Sequence, residues 1–202
     1  FMITVTVIIP FKDNLNYLFL AINSVLSQTF RKFKIIIIYD KTDLSDYNKL
    51  KNYLKRKKII QKFDIKIILN RRNFGAGMSR NIAINKSKSK YIAFLDSDDL
   101  WAKDKLKKQI DFMIKEKLVI SHTSYFVMDY KGKIISLRNA FKKLNFSNLI
   151  KSCDIGLSTV ILDLNFIKKH NLFFPKIKTK EDYILWLKIV KKIKVIEGLN
   201  KK

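Results

Sequence analysis

Short apolar runs alternate with amphipathic segments through the first half of the chain. Four of these runs are almost uninterrupted, which is typical of strands that are covered on both faces. They lie at residues 5–9, 34–39, 65–69 and 91–95. The segments between them place apolar residues at helical spacing, as Leu18, Ala21 and Ile22 do. Strands separated by helices pair in parallel, so this half predicts a doubly wound α/β sheet.

Residues that cap or break elements set the expected boundaries. Pro10 is expected to end the first strand, because proline donates no hydrogen bond to a sheet. Either Asp13 or Asn14 is suited to cap the first helix. A loop at 73–77 is expected to lead into a short helix at 79–87.

The second half of the chain is less regular. Apolar residues at helical spacing predict helices at 103–117 and 181–192. Strand-like segments lie at 118–123, 125–129, 134–137 and 157–162, with Lys131-Gly132 as a hairpin turn. We expect residues 1–100 to form the mostly parallel sheet and residues 101–202 a smaller, mixed or antiparallel region of the same domain.

The composition fits one globular domain in a reducing compartment. Of the 202 residues, 48% are hydrophobic. Cys153 is the single cysteine, which excludes a disulfide within the chain. No apolar run approaches the roughly 20 residues that span a bilayer, and residues 1–5 lack the basic region of a signal peptide. We therefore expect a cytoplasmic protein.

The net charge of +25 indicates affinity for polyanions, either nucleic acid, an anionic membrane surface or a phosphate-bearing substrate. The lysines are spread along the chain, which is typical of solvated helix faces. We expect peripheral attraction to anionic membranes and no specific nucleic-acid ligand. Charge by itself identifies no function.

An acidic segment, Asp96-Ser97-Asp98-Asp99, follows the apolar run at 91–95. Three carboxylates at the end of a buried strand repel one another unless a positive group neutralises them. A divalent cation that carries a phosphorylated ligand would do so. The alternative is an acidic turn in which Asp98 or Asp99 caps the next helix.

Further polar features follow the other predicted strands. They are the segment at 10–14, Asp40, and the loop at 73–80. Ligands of open α/β sheets bind outside the carboxyl ends of the strands, so one crevice can collect all of these features. Gly75 and Gly77 allow a backbone to approach a phosphate closely, and the helix start that follows favours anions.

Five segments in this order resemble the inverting glycosyltransferases of family 2, which have the GT-A fold. They are residues 5–10, 24–30, 73–81, 94–99 and 180–187. The resemblance covers nearly the whole chain. It implies an α/β fold with a Rossmann-like, mostly parallel sheet and one catalytic domain over residues 1–202. Residues 1–100 would bind the nucleotide sugar and residues 101–202 the acceptor. Many relatives continue further, so the resemblance implies either a chain truncated at its C-terminus or a minimal catalytic domain.

The resemblance implies roles for residues that contact the nucleotide. Asp40 would accept a hydrogen bond from the base, most simply uracil N3–H. Pro10, Phe11 and Asp13 would line the nucleoside side of the crevice. Arg80 would face the diphosphate.

The acidic segment would hold the metal ion in this family. Asp98 would coordinate Mn²⁺ or Mg²⁺ that bridges the diphosphate, since hard oxygen ligands suit both ions. Asp96 would support it by contacting the ribose or the metal shell, and Ser97 would complete this part of the donor site. Asp99 would assist, or cap the following helix.

Asp182 would be the general base of the implied reaction. It would take the proton from the acceptor hydroxyl as that oxygen attacks the anomeric carbon opposite the diphosphate, which inverts the configuration. Glu181 would position the acceptor or only cap the helix. Two acids in a first helical turn are also favoured by the helix dipole alone.

The chain departs from the family pattern around the second strand. Tyr39 stands where the family usually has an aspartate, and Lys41-Thr42 replaces a Gly-Ser pair. Two other features keep more than one interpretation. Trp101 can stack on a sugar or cover the core, and Ser158 can reach the acceptor or simply follow strand alternation. His122 lacks a partner at ligand spacing and is expected to be structural or exposed.

These observations predict a metal-dependent inverting glycosyltransferase that uses a nucleotide sugar, most simply a UDP-sugar. The expected acceptor is a surface polysaccharide or a lipid-linked saccharide at the inner face of the plasma membrane. Three alternatives stay open. A nucleotidyltransferase would share the metal site but does not need Asp182. A basic nucleic-acid-binding module explains the charge but leaves the acidic crevice without a role. The third alternative is a non-catalytic relative.

Overall fold

The computed structural model describes residues 4–200. The prediction that residues 1–5 are not a signal peptide therefore rests mostly on residues outside the described range. Strands and helices alternate through the first half. The strands are β1 (Val5–Phe11), β2 (Phe33–Tyr39), β3 (Ile65–Leu69) and β4 (Tyr91–Phe94). The helices are α1 (Leu15–Leu26), α2 (Ser45–Arg56), α3 (Ile59–Lys62) and α4 (Ala76–Lys86).

The second half contains shorter strands and two long helices. Its strands are β5 (Ile120–Thr123), β6 (Tyr125–Met128), β7 (Ile134–Arg138), β8 (Lys143–Asn145), β9 (Ile161–Asp163) and β10 (Val195–Leu199). Its helices are α5 (Lys105–Lys115), α6 (Phe146–Leu149), α7 (Leu164–Lys169) and α8 (Glu181–Ile193). In the described part of the chain, no helix is both long and apolar enough to cross a membrane.

One eight-stranded sheet joins both halves in the order β3-β2-β1-β4-β9-β5-β10-β8. The first four strands are parallel, whereas β9 runs antiparallel to β4 and to β5. Strands β6 and β7 form a separate hairpin. The predicted α/β fold with a mixed second half is therefore confirmed.

The apolar runs are continuous because helices cover both faces of the sheet. On one face, Val7 and Ile9 of β1 pack with Ile22 of α1 and with residues of α2 and α5. On the other face, Ile8 packs with Trp186 of α8 and with residues of α4 and α7. Successive residues of a strand point to opposite faces, so neither face of β1 is left for solvent.

The expected end of β1 at Pro10 is wrong, because β1 continues to Phe11. The Ile8 carbonyl accepts from Leu95 on the β4 side, and the Phe11 carbonyl accepts from Asp40 on the β2 side. The backbone groups of successive residues point to alternate sides, so those of Pro10 point toward β4, opposite to those of Phe11. Pairing of β1 with β4 has already ended at Ile8. The missing N–H of Pro10 therefore costs the sheet no hydrogen bond.

Other boundaries are set by local hydrogen bonds. Asn14, and not Asp13, caps α1, since its side chain accepts from the Tyr17 N–H. The strand expected at 157–162 is partly wrong. A 3-10 turn, Leu157–Thr159, precedes the strand, and the Thr159 N–H donates to the Gly156 carbonyl.

Candidate functional site

The carboxyl ends of three parallel strands meet at one edge of the sheet. In the register of β1 and β2, Phe11 lies beside Tyr39, and Asp40 follows directly. The acidic segment begins just after β4 and forms a turn, in which the Asp99 N–H donates to the Asp96 carbonyl at 3.1 Å. The polar features expected to share one crevice therefore lie at one edge.

Arg80 connects the acidic turn to helix α8. Its guanidinium donates to Asp96 Oδ1 at 2.6 Å and to Glu181 Oε1 at 3.0 Å. The Arg80 side chain is only 5% exposed and lies over the ring of Phe174, 5.4 Å from its centroid. Removing a charge from such a buried pair leaves its partner uncompensated, which is strongly unfavourable. Arg80 thus fixes the two acidic segments relative to each other.

Glu181 and Gly77 are in close contact beneath this ion pair. A Cβ atom at Gly77 would lie 2.8 Å from Cγ of Glu181 and 3.4 Å from Cβ of Phe174. Glycine at this position is explained by the close approach of helices α4 and α8. The expected contact of Gly77 with a phosphate stays a prediction.

Asp40 holds the loop that precedes α4. Its buried carboxylate accepts hydrogen bonds from Asn70 Nδ2 at 2.8 Å, from the Phe74 N–H at 2.8 Å and from the Gly75 N–H at 2.7 Å. Gly75 has φ of +85°, a conformation that favours glycine. A carboxylate accepts about four hydrogen bonds, so these three donors use most of its capacity. The role of Asp40 toward a base stays a prediction.

The expected nucleoside-lining residues differ in their exposure. Pro10 and Phe11 are buried, whereas Asp13 is exposed beyond the end of β1. The Phe11 ring packs on that of Tyr39, with centroids 5.5 Å apart. Tyr39 is itself fully buried and donates through its hydroxyl to the Asp43 carbonyl at 2.6 Å. The tyrosine that replaces the usual aspartate is therefore a core residue.

Ser158 braces the acidic turn, a role that the sequence did not predict. Its hydroxyl accepts from the Asp96 N–H at 2.9 Å and hydrogen-bonds the Asp99 carboxylate. Its carbonyl accepts from Nε1 of Trp101 at 2.8 Å, and Trp101 is buried. The pairing of β4 with β9 brings this serine to the turn, so only tertiary structure could have indicated it.

Asp99 has a carboxyl with a raised pKa and does not cap the next helix. Desolvation raises the pKa of Asp99, and the charges of Asp96 and Asp98 raise it further, although the Ser158 hydrogen bond opposes this. By its surface area, Asp99 is nevertheless an exposed residue, as Asp98 is. Neither Asp98 nor Asp99 caps α5, which begins after Asp104. The suggested helix-cap role of Asp99 is therefore wrong.

The acidic turn fits a hard divalent cation by its donor chemistry. Asp98 is exposed, Ser97 is half-buried and the Asp96 side chain is 34% exposed. Between residues 4 and 200, no three acidic, histidine or cysteine side chains form a ready metal cage. Mg²⁺ is usually held by one or two carboxylates plus water and substrate phosphates. Carboxylates at an open turn match that requirement.

Asp182 lies in the first turn of α8, next to the Arg80 bridge. Partial burial raises the pKa of its carboxyl, and the neighbouring Glu181 charge adds to this. The Tyr183 N–H, which donates to Asp182 Oδ1 at 2.7 Å, acts in the opposite direction. Desolvation, and then the charge of Asp182, raise the pKa of the Cys153 thiol. The loop at 153–158 thus runs from a residue within electrostatic range of Asp182 to Ser158, which contacts the acidic turn.

Comparison with solved structures supports the fold. S. aureus TarS has a TM-score of 0.76 with this chain at 21% identity, over 99% of this chain and 59% of that one. A mannosyltransferase from Pyrobaculum calidifontis has a TM-score of 0.74 at 13% identity, over 98% and 55% of the two chains. These similarities confirm the predicted GT-A fold class.

Sequence comparison identifies the family. A Rickettsia felis "uncharacterized glycosyltransferase" is 39% identical over 98% of this chain, which spans 32% of that protein. The Escherichia coli WfaP, a UDP-Glc:alpha-D-GlcNAc-diphosphoundecaprenol beta-1,3-glucosyltransferase, is 37% identical over 93% of this chain and 70% of its own length. Residues 6–172 match the family model described as "Glycosyl transferase family 2". The chain therefore belongs to glycosyl transferase family 2.

Proposed function

We propose that the chain transfers a sugar from a nucleotide diphosphate donor, a UDP-sugar, to a hydroxyl of an acceptor, with inversion at the anomeric carbon. The observation that carries the proposal is the Arg80 bridge, which ties Asp96 to Glu181. It brings the acidic turn next to the start of α8, where Asp182 follows Glu181, and this supports one crevice for donor and base, as a single-displacement transfer requires. WfaP, a UDP-Glc transferase, and a TarS structure in complex with UDP-GlcNAc support the choice of donor.

The donor would lie along the carboxyl edge of β1, β2 and β4. In this proposal, Asp40 and the backbone at Pro10 and Phe11 form the base side, with Asp13 at the rim. The loop that Asp40 ties down leads to the start of α4, where the helix dipole favours the diphosphate. Arg80 offsets part of the negative charge of Asp96 and Glu181 on this side of the donor.

Asp98, supported by Asp96, would hold Mn²⁺ or Mg²⁺. The bound ion would neutralise charge that develops on the departing diphosphate. Arg80 would keep Asp96 oriented, and Ser158 would keep the turn that carries both aspartates in shape. Ser97 would contribute its backbone and hydroxyl to the same side of the donor.

Asp182 would act as the general base. The acceptor oxygen attacks the anomeric carbon, the bond to the diphosphate oxygen breaks, and the hydroxyl proton passes to the Asp182 carboxylate. A carboxyl whose pKa is raised by burial is a better proton acceptor near neutral pH than an exposed one. Glu181 is engaged with Arg80 and so would position Asp182 and not accept the proton itself.

The acceptor would be a saccharide or a lipid-linked saccharide at the cytoplasmic face of the membrane. WfaP, by its name, acts on a diphosphoundecaprenol-linked sugar. The charge of +25 suits peripheral association with anionic lipid there.

Calorimetric titration with UDP, UDP-glucose and UDP-GlcNAc, each with and without Mn²⁺, tests the proposal. We expect Mn²⁺-dependent binding that Asp98→Ala abolishes. Asp111→Ala is the matched control, because Asp111 is an exposed acid of α5 paired with Lys107. Binding that needs no metal, or that is unchanged in Asp98→Ala, would contradict the metal assignment. Turnover of a nucleoside triphosphate and a sugar phosphate would instead favour a nucleotidyltransferase.

A further inference from the structure

The β6–β7 hairpin is not part of the eight-stranded sheet, and much of its surface is exposed. Its two strands pair only with each other, outside the eight-stranded sheet. Tyr130 is 82% exposed, Ile135 65% and Ile134 54%. Isolated two-stranded hairpins are marginally stable in water, and contiguous exposed apolar side chains commonly mark an interaction site.

The pairing register collects apolar side chains on one face of the hairpin. Phe126 lies opposite Leu137, and Met128 lies opposite Ile134. Residues directly opposite each other in an antiparallel pair share a face. We call these four residues, with Ile135 at the bulge and Tyr130 at the turn, the hairpin face. Five of the six are exposed large hydrophobic residues, and Leu137 is half-buried.

Positive charge surrounds the hairpin face. Lys131, Lys133 and Arg138 are its basic residues, and Asp129 is the single acid between residues 125 and 138. The Asp129 carboxylate accepts the backbone N–H groups of Lys131 and Lys133, both at 2.9 Å. Both lysines are exposed, and Lys131 Nζ lies 5.5 Å from the centroid of the Tyr130 ring.

The hairpin adjoins the acceptor side of the candidate site. A Cβ atom at Gly156 would lie 3.4 Å from the Tyr125 ring, so β6 contacts the loop at 153–158. That loop ends at Ser158, which holds the acidic turn, and its first residue, Cys153, lies within electrostatic range of Asp182. A surface that the hairpin touches would therefore lie close to an acceptor in the crevice.

We propose that the hairpin face docks on an anionic lipid bilayer. Tyrosine favours the level of the lipid headgroups, aliphatic residues favour the adjoining acyl region, and lysines favour anionic headgroups. The hairpin supplies all three together, with Tyr130 between the apolar face and the basic turn. The inference that docking presents a lipid-linked acceptor to Asp182 rests on the proposed function, whereas docking itself does not.

Vesicle co-sedimentation in 0.15 M salt tests the docking. Vesicles of phosphatidylcholine alone are compared with vesicles that also contain phosphatidylglycerol. We expect binding only to the anionic vesicles. Lys131→Glu/Lys133→Glu should weaken it by at least about 25-fold, because the loss of each lysine alone corresponds to roughly fivefold and each glutamate adds repulsion. Tyr130→Ser/Ile135→Ser should weaken binding at unchanged net charge.

Matched substitutions at the end of α2, just after it and in α3 separate docking from diffuse attraction. Lys55→Glu/Lys57→Glu changes the net charge by the same amount, and Ile60→Ser removes another exposed apolar side chain. We expect these variants to bind the anionic vesicles within about twofold of the parent chain. Equal losses in both sets, or unchanged binding in the hairpin variants, would overturn the proposal. So would a dimer in light scattering that Tyr130→Ser/Ile135→Ser dissociates, because a second copy would then cover the face.

Slow hydrolysis of a soluble UDP-sugar separates this proposal from the proposed function. The hairpin residues lie outside the donor site, so their variants should hydrolyse the donor at the parent rate. Loss of vesicle binding with unchanged hydrolysis supports docking by the hairpin. A chain that hydrolyses no nucleotide sugar contradicts the proposed function, while its vesicle binding still tests the hairpin.

Discussion

Gly77 and Glu181 lie so close that a Cβ atom at position 77 would be 2.8 Å from Cγ of the glutamate. Gly77 is in the first turn of α4, and Glu181 is the first residue of α8. The same glutamate pairs with Arg80, one turn further along α4. The two helices therefore approach each other where both contribute to the candidate site.

Gly77→Ala should destabilise the protein. Alanine in a helix is ordinarily favoured over glycine by about 0.5–1 kcal/mol. Here the added methyl group would have to displace a side chain that Arg80 holds in place, and such overpacking costs about 1–3 kcal/mol. We expect a lower free energy of unfolding in urea denaturation, together with weaker donor binding.

A double-mutant cycle identifies the contact that is responsible. Glu181→Ala removes Cγ, so Gly77→Ala in that background should be neutral or stabilising. The coupling between the two substitutions should fall within the roughly 0.5–3 kcal/mol seen for residues in contact. An equal cost in both backgrounds would show that Glu181 is not the obstacle.

Asp182→Asn should abolish most transfer while leaving donor binding intact. Removing a general base typically costs about 10²–10⁴-fold in rate. In the parent chain, kcat/KM should fall as the pH drops through the raised pKa of Asp182, since the carboxylate must be ionised to accept a proton. Transfer assays between pH 4 and 8 measure both effects. Full activity of Asp182→Asn would exclude this residue as the base.

The same substitution should also change the pH dependence of stability. Burial raises the pKa of Asp182 in the folded protein. The contribution of this carboxyl to the free energy of unfolding is therefore fully present below its unfolded pKa and is lost as the pH rises through its folded pKa. At neutral pH the ionised, partly buried carboxylate lowers the free energy of unfolding, so Asp182→Asn should be as stable as the parent or more stable. Thermal unfolding at pH 7 tests this. Marked destabilisation would indicate that the carboxylate is stabilised by interactions that outweigh its burial.

Ser158→Ala should destabilise the acidic turn without changing a residue that contacts the donor in the proposed site. It leaves the Asp96 N–H without its acceptor and removes the hydroxyl from Asp99, at a cost of about 1–3 kcal/mol. Residues that orient metal ligands typically change metal affinity by about 10–100-fold. We expect Mn²⁺-dependent donor binding to weaken by at least about tenfold. Ser152→Ala is the control, because its hydroxyl donates to Asp154 on the exposed part of the same loop.

The parallel half of the sheet could be predicted because burial on both faces leaves continuous apolar runs. Tyr91–Phe94, for example, forms β4 with all four residues buried, one residue short of the predicted 91–95. Strands β8 and β10 could not be predicted in this way. Lys143–Asn145 is too short for a pattern, and Val195–Leu199 contains Glu197 and Gly198.

The position of the candidate site could be predicted from the order of the strands, but its internal contacts could not. Arg80 and Glu181 are 101 residues apart, and the local sequence around each of them gives no sign of their ion pair. Ser158 reaches the acidic turn only because β9 inserts beside β4. Such contacts arise from the packing of whole elements, which the local patterns do not encode.

His122 is buried, which agrees with the expectation that it is structural and not with the alternative that it is exposed. It is 1% exposed, and desolvation lowers its pKa to about 4, although a hydrogen bond with the Phe141 backbone and the charge of Asp154 oppose this. In the described chain its Nε2 atom is buried without a hydrogen-bond partner. The neutral imidazole is thus the form that the folded protein accommodates.

Protonation of His122 should therefore contribute to acid unfolding. A lowered pKa in the folded state means that stability is present above the unfolded value of about 6.5 and is lost as the pH falls toward 4. A difference of about 2.5 pH units corresponds to at most roughly 3 kcal/mol at 1.36 kcal/mol per unit. Urea unfolding at pH 4.5 and 7.5 should show this loss in the parent chain and a smaller one in His122→Gln. His170→Gln is the control, since it removes a histidine that packs on Phe166 with much less burial. Equal pH dependence in all three proteins would contradict the assignment to His122.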